Sequence, residues 1–158
     1  MLSSRLDFGG WFREAHPRLG TSLAFAFGDT DLAQDAADEA LTRAFERWDR
    51  VSTMESPSGW VCRVAFNVAR RTLRRRRIES GLLGRRVDHV EPPAGELWEL
   101  VSQLPDRQRQ AVVLRHVAAL TEREIGDAMG ITRGSVSSTL RTAYRSLRTE
   151  LADDGSTP

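Results

Sequence analysis

The sequence predicts an all-α protein of two small helical domains, and three observations predict it. Apolar residues recur at helical spacing through most of the chain. Glycine, proline and capping residues punctuate those stretches where helices start and stop. No segment alternates with the period of two that a half-buried strand requires. With 158 residues, 40% hydrophobic and 28% charged, the chain is long enough to bury a core and has a globular composition. No apolar run reaches membrane-spanning length, and the opening "MLSSRLDFGGWFREAH" lacks the basic-then-apolar order of a leader, so a cytoplasmic protein with no membrane partner is expected.

The first helix is predicted from about Leu6 to Phe27, with Phe8, Trp11, Phe12, Leu19, Leu23 and Phe27 as its apolar contacts and Pro17 as a kink or a restart. "GDTD" resets the chain, and Asp29 or Thr30 caps a second helix reaching about Trp48. Its apolar side holds Ala33, Ala37, Leu41, Ala44, Phe45 and Trp48, and Asp31, Asp35, Asp38 and Glu46 form an acidic stripe opposite. In "ESPSGW", Ser56 is the cap and Pro57 the first helical residue of a third helix, which continues to about Arg77 with Trp60, Val61, Val64, Ala65, Val68 and Ala69 inward. Residues 79–95, with three glycines and two prolines and no periodicity, read as a linker. The expected organisation is therefore a domain at 1–78, a linker at 79–95, a second domain at 96–152 and a disordered tail at 153–158. Domains of this size bury only about 60% of their unfolded surface, so each is modestly stable alone.

After the linker come a short helix from about Glu96 to Gln103 and a helix led by Pro105 and ending near Ala119. Thr121 with Glu124 forms a capping box that opens the next helix. In "EIGDAMGITRGSVSSTLR", residues 124–141, Gly130 is the turn residue of a helix-turn-helix, Gly126 allows the two helices to approach, and Ile125, Met129, Ile131 and Val136 lock them. Val136, Leu140, Ala143 and Leu147 of the second helix face the core, while Arg133, Ser137, Arg141, Arg145 and Arg148 face outward. Arg133, Ser135, Ser137 and Ser138 at its start offer a guanidinium and short donors to base edges, with Arg141 and Arg145 placed for phosphate.

The net charge of +1 conceals a segregated distribution. Residues 29–49 hold seven acids and two arginines, residues 63–77 seven arginines and no acid, and residues 133–148 four arginines and no acid. Separate acidic and basic faces imply one cationic and one anionic partner. Arg63, Asn67, Arg70, Arg74 and Arg77 step along one face of the third helix for more than three turns, which a helix-dipole argument covers only at the last turn. An amide among cations suits a base as well as phosphate, so this ladder reads as a second nucleic-acid surface. Cys62 is the single cysteine, and His16, His89 and His116 are scattered; no cofactor, metal ligand set or small-molecule substrate is implied.

Residues 31–48, "DLAQDAADEALTRAFERW", followed by 57–77, "PSGWVCRVAFNVARRTLRRRR", resemble region 2 of the extracytoplasmic-function sigma factors of bacterial RNA polymerase. Residues 100–148 are similar to region 4 of that family, and the "LPDRQR", "GSVSSTL" and "RWDRV" segments resemble its actinobacterial sigma-E-like subgroup. The resemblance implies a non-catalytic promoter-specificity subunit whose partners are core RNA polymerase and promoter DNA, and members of the family are often held by an anti-sigma factor. It implies that Asp35, Asp38 and Glu39 grip the polymerase. It assigns Arg63, Asn67, Arg70, Arg71 and Arg74 to the minus-10 element, the loop from Arg50 to Ser58 to a flipped base, and Arg133, Ser135, Ser137, Ser138, Arg141 and Arg145 to the minus-35 element. Two other readings compete. In a stand-alone regulator residues 1–78 would dimerise or sense, and in a metal-dependent nuclease Asp31, Asp35 and Asp38 would be the ligands, but no basic or histidine partner accompanies them.

Overall fold

The computed structural model describes residues 2–80 and 95–155, with side chains from Phe8 onward in the first helix. The described residues form eight helices and no strand. Most of the expected linker and the last three residues lie outside them.

Helix α1 spans Leu2–Phe27 and passes through Pro17, an exposed residue, without a break. Asp29 caps α2, Thr30–Glu46, by accepting a hydrogen bond from the Leu32 amide at 2.9 Å. The buried side of α2 is almost all alanine (33, 36, 37, 40 and 44) with Leu32 and Leu41, so α1 and α4 can both approach its backbone closely. Phe45 is half exposed, whereas the sequence pattern placed it inward. The reason is that α2 stops at Glu46 and a separate turn of helix, α3 at Trp48–Val51, buries Trp48 instead. Phe45 packs edge-on to Phe8 at 5.1 Å, beside Trp11 and Trp48.

Helix α4, Pro57–Ser80, starts as expected: the Ser56 hydroxyl accepts from the Gly59 amide at 3.0 Å and Pro57 occupies the first helical position. Phe66 is fully buried against Phe27 with ring centroids 4.9 Å apart. Truncating such a side chain costs about 3–5 kcal/mol. Near the far end of α4, Arg76 reaches back to Asp29 at 3.1 Å, so one carboxylate caps α2 and anchors α4.

Helices α5 (Glu96–Ser102), α6 (Asp106–His116), α7 (Glu122–Met129) and α8 (Arg133–Asp154) build the second half. Val112, Val113, Leu114, Leu120, Ile125, Val136, Leu140 and Leu147 fill its core. The Thr121 hydroxyl accepts from the Glu124 amide at 3.2 Å, as an N-cap does, and donates to the Glu124 carboxylate at 3.0 Å, so the carboxylate bonds the cap's hydroxyl where a full capping box would have it bond the cap's backbone N–H. Gly130 is left-handed (φ 69, ψ 34), and Thr132 caps α8 through the Ser135 amide. A methyl group on Gly126 would lie 2.8 Å from the Ile131 carbonyl oxygen, so the tight α7–α8 corner requires glycine there.

The two halves also pack on each other. Their buried side chains form one continuous cluster, Phe25 meets Trp98 edge-on at 6.0 Å, and Arg109 donates to the Ala26 carbonyl at 3.1 Å.

Candidate nucleic-acid interfaces

Helix α2 presents Asp35, Asp38 and Glu39 to solvent on the side opposite its alanines. Glu39 pairs with Arg43 one turn on, and Asp38 lies 3.7 Å from the His16 imidazole. Exposed pairs of this kind contribute about 0–1 kcal/mol, so the acids remain free to exchange them for other cations. The described residues contain no group of three or more His, Cys, Asp or Glu that could hold a metal ion.

On α4, Arg63, Arg71, Arg74 and Arg77 are exposed. Asn67 and Arg70 are half-buried, because Arg70 donates to the Met129 carbonyl of α7 and to the Asn67 side-chain oxygen. Burial pulls the Arg70 guanidinium below its ordinary pKa, and Arg107 and Arg74 push it the same way. Arg107, on α6, was not among the basic residues singled out from the sequence; only the packing of α6 onto the first half brings it near the ladder. Arg76 is diverted to Asp29 and leaves the outer face. Next to the start of α4, Met54, Ser56, Gly59, Trp60 and Arg63 line a cleft of about 300 Å³ that α7 closes with Glu124 and Asp127.

On α8, Arg133, Ser135, Ser138, Arg141 and Arg145 are exposed along one side. Ser137 is half-buried and donates to Glu122 at 2.6 Å, and the Arg133 guanidinium lies 3.9 Å from the same carboxylate. Glu122 therefore orients the start of α8 from the preceding helix. No sequence signal marked it, since its role depends on the corner at Gly130. The outer face of α8 carries no acid through Arg148, and nothing in the described residues covers it.

This order of an acid-faced helix, an arginine-faced helix and a helix-turn-helix coincides with matches to the two regions of the sigma-70 transcription initiation factors. Residues 11–78 match the model of sigma-70 region 2, and residues 100–149 that of sigma-70 region 4. The chain is 29% identical over 153 residues to the RNA polymerase sigma-E factor of Streptomyces avermitilis, covering 92% of this chain and 86% of that one. It is 33% identical over 126 residues to the sigma-E factor of Streptomyces antibioticus, covering 75% and 70%. Its fold is similar to that of the sigma factor RpoE from Bartonella quintana, solved in complex with the anti-sigma factor NepR, with a TM-score of 0.75 at 18% identity over 92% of this chain and 97% of that one. The chain belongs to the extracytoplasmic-function sigma factors, the RNA polymerase subunits that direct promoter recognition. This family acts in transcription initiation without catalysing a reaction. Among the described residues no helix is long and apolar enough to cross a membrane.

Proposed function

We propose that the chain holds core RNA polymerase through Asp35, Asp38 and Glu39 of α2 and spans the promoter with α4 and α8. In this reading Arg63, Asn67, Arg70, Arg71 and Arg74 engage the minus-10 element. Arg133, Ser135, Ser137, Ser138 and Arg141 read the minus-35 element in the major groove, and Arg145 contacts its backbone. The loop from Arg50 to Ser58 takes up an extruded base, for which stacking and backbone contacts must offset a few kcal/mol of unstacking. Residues 1–78 and 96–152 act as the two functional domains, 79–95 as the linker and 153–158 as a tail, with α4 running two residues into the linker, to Ser80, and α8 two residues into the tail, to Asp154. The protein works in the cytoplasm without cofactor or catalysis. The similarity to a sigma factor solved with its anti-sigma factor supports an anti-sigma partner here as well.

The observation that carries this reading is the segregation of charge onto separate exposed faces, with the carboxylates of α2 in solvent and the outer side of α8 free of acids from Arg133 through Arg148. The test is reconstitution. Mixed with core polymerase, the chain co-elutes on gel filtration and supports run-off transcription from a subset of genomic fragments. Self-association without co-elution would instead identify a stand-alone regulator.

A further inference from the structure

Glu122 opens α7, and the corner at Gly126 and Gly130 brings it against the start of α8. The helices cross there at backbone distance, with the Ile131 carbonyl oxygen filling the space of a Gly126 side chain. One carboxylate oxygen of Glu122 therefore reaches two side chains of α8. It accepts from the Ser137 hydroxyl at 2.6 Å and lies 3.9 Å from the Arg133 Nε. Arg133 and Ser137 are four residues apart and share one face of their helix. The Glu122 and Arg133 side chains keep 36% and 77% of their surface, so the group stays open to a ligand.

Each contact fixes which hydrogen-bonding atoms are left over. An ionised carboxylate only accepts, so the Ser137 hydroxyl gives its one hydrogen to Glu122 and faces any other group as an acceptor. In the major groove the donors are the amino groups of cytosine and adenine, whereas guanine and thymine offer no amino group at that edge. For Arg133, a negative charge beside Nε orients the guanidinium and leaves its two terminal nitrogens, the fork that fits O6 and N7 of guanine. An exposed pair at this distance adds little stability, so its effect is on orientation. An acid beside an anion-binding face also weakens contact with every DNA alike, and its use there lies in separating one sequence from another.

We propose that Glu122 is a specificity-determining residue of minus-35 recognition: from outside the recognition helix it aims Arg133 at a guanine and makes Ser137 select a base that carries an amino group. The proposal rests on the reading of α8 as the minus-35 helix, and the experiment separates the two. In a promoter recovered by run-off transcription of genomic fragments, the minus-35 base pairs are randomised. Templates bound by core polymerase with the full wild-type or variant chain are then sequenced. Affinity is measured beside this on the selected duplex and on one with that element scrambled. The wild type should select guanine at one base pair, lost in Arg133→Ala, and cytosine or adenine at a neighbouring one, lost in Ser137→Ala. Glu122→Ala should weaken both preferences about threefold to tenfold, with affinity for the scrambled duplex equal or higher because a negative charge is gone. Glu122→Gln, which keeps an acceptor but not the charge, should hold the Ser137 preference and lose that of Arg133. Preferences unchanged in Glu122→Ala overturn the proposal and leave the minus-35 reading standing. An equal loss of affinity on both duplexes also overturns it, since a disturbed fold would do the same. A wild type that prefers no base in the element overturns the minus-35 reading, and this proposal with it. Should Glu122→Ala melt well below the wild type, Glu122→Gln is judged by the same ratios.

Discussion

Gly126, Gly130 and Gly134 follow one another at one-turn spacing through the helix-turn-helix, yet alanine should act differently at each. Gly134 is in the first turn of α8 with no atom nearer than 3.9 Å to a methyl group, so Gly134→Ala recovers helix propensity and stabilises by up to about 1 kcal/mol. Gly126 has the same propensity to gain, but its methyl group meets the Ile131 carbonyl oxygen at 2.8 Å and the Arg133 amide nitrogen at 3.6 Å. Both are backbone atoms of the turn and cannot swing aside. Overpacking of this kind costs about 1–3 kcal/mol, which, set against a propensity gain of about 1 kcal/mol, leaves a net loss of up to about 2 kcal/mol. At Gly130 the left-handed backbone costs an alanine about 1–2 kcal/mol, and displacing Arg70 from Met129 loses about another 1 kcal/mol. At roughly 2–4 °C per kcal/mol for a chain of this size, thermal melts followed by far-ultraviolet circular dichroism should rank Gly134→Ala above the wild type, Gly126→Ala below it and Gly130→Ala lowest. A Gly126→Ala protein melting at or above the wild type would refute the close α7–α8 approach from which this order follows.

Charge reversal of Asp35 and Asp38 to arginine should abolish co-elution with core polymerase and leave the far-ultraviolet spectrum unchanged, since both side chains are exposed. Retained co-elution would reduce the acidic face to a solvated one. Arg133→Ala should cost about 1–3 kcal/mol on minus-35 duplex and less on scrambled duplex, whereas Arg145→Ala should weaken both equally and lower the salt dependence of binding; titrations at several salt concentrations check each. His116 hydrogen-bonds Tyr144 at 2.8 Å, and although the residue is largely exposed, partial desolvation, with Arg115 beside it, holds its pKa below the ordinary value. The neutral imidazole is therefore favoured in the fold, and the unfolded chain takes up a proton first as pH falls. The stability this group contributes is present above its ordinary pKa of about 6.5 and is lost as pH falls through the lower, folded value. Melts between about pH 7.5 and 5.5 should show a decline that His116→Gln flattens.

The helices and their caps were legible because they depend on neighbours in the chain. Asp29, Ser56 with Pro57, and Thr121 with Glu124 each satisfy backbone donors within the next few residues, and each does so in the structure. The same holds for Gly130, whose left-handed turn follows from a glycine between two amphipathic patterns. Phe45 escaped this logic. Its spacing fits the inner side of a helix reaching Trp48, but the break at Arg47 rotates Trp48 inward and leaves Phe45 half exposed. The exposed acids of α2 and arginines of α8 were legible from the excess of acids over arginines on the first stripe and the absence of acids through Arg148 on the second. The bond of Glu124 to Ser56, the role of Glu122 and the proximity of Arg107 to Arg70 were not. Each joins residues far apart in the chain or across a corner, and periodicity carries no information on which helix faces which.

Segregated charge explains both the partners of this chain and its packing on itself. A helix that displays arginine along several turns attracts whatever anionic surface is nearest, and within a small two-domain chain that surface is the acidic α7 and its carbonyl end. Arg70 is drawn into that contact, whereas Arg63, Arg71, Arg74 and Arg77 of the same helix stay exposed. The exposed carboxylates of α2 are not consumed in this contact. The proposed polymerase contact is therefore open while α7 stays packed on α4. A partner that holds the two halves apart must replace Ser56–Glu124 and Arg70–Met129 with contacts of its own, and its own acids placed over Arg70 and Arg74 would do so with the least loss.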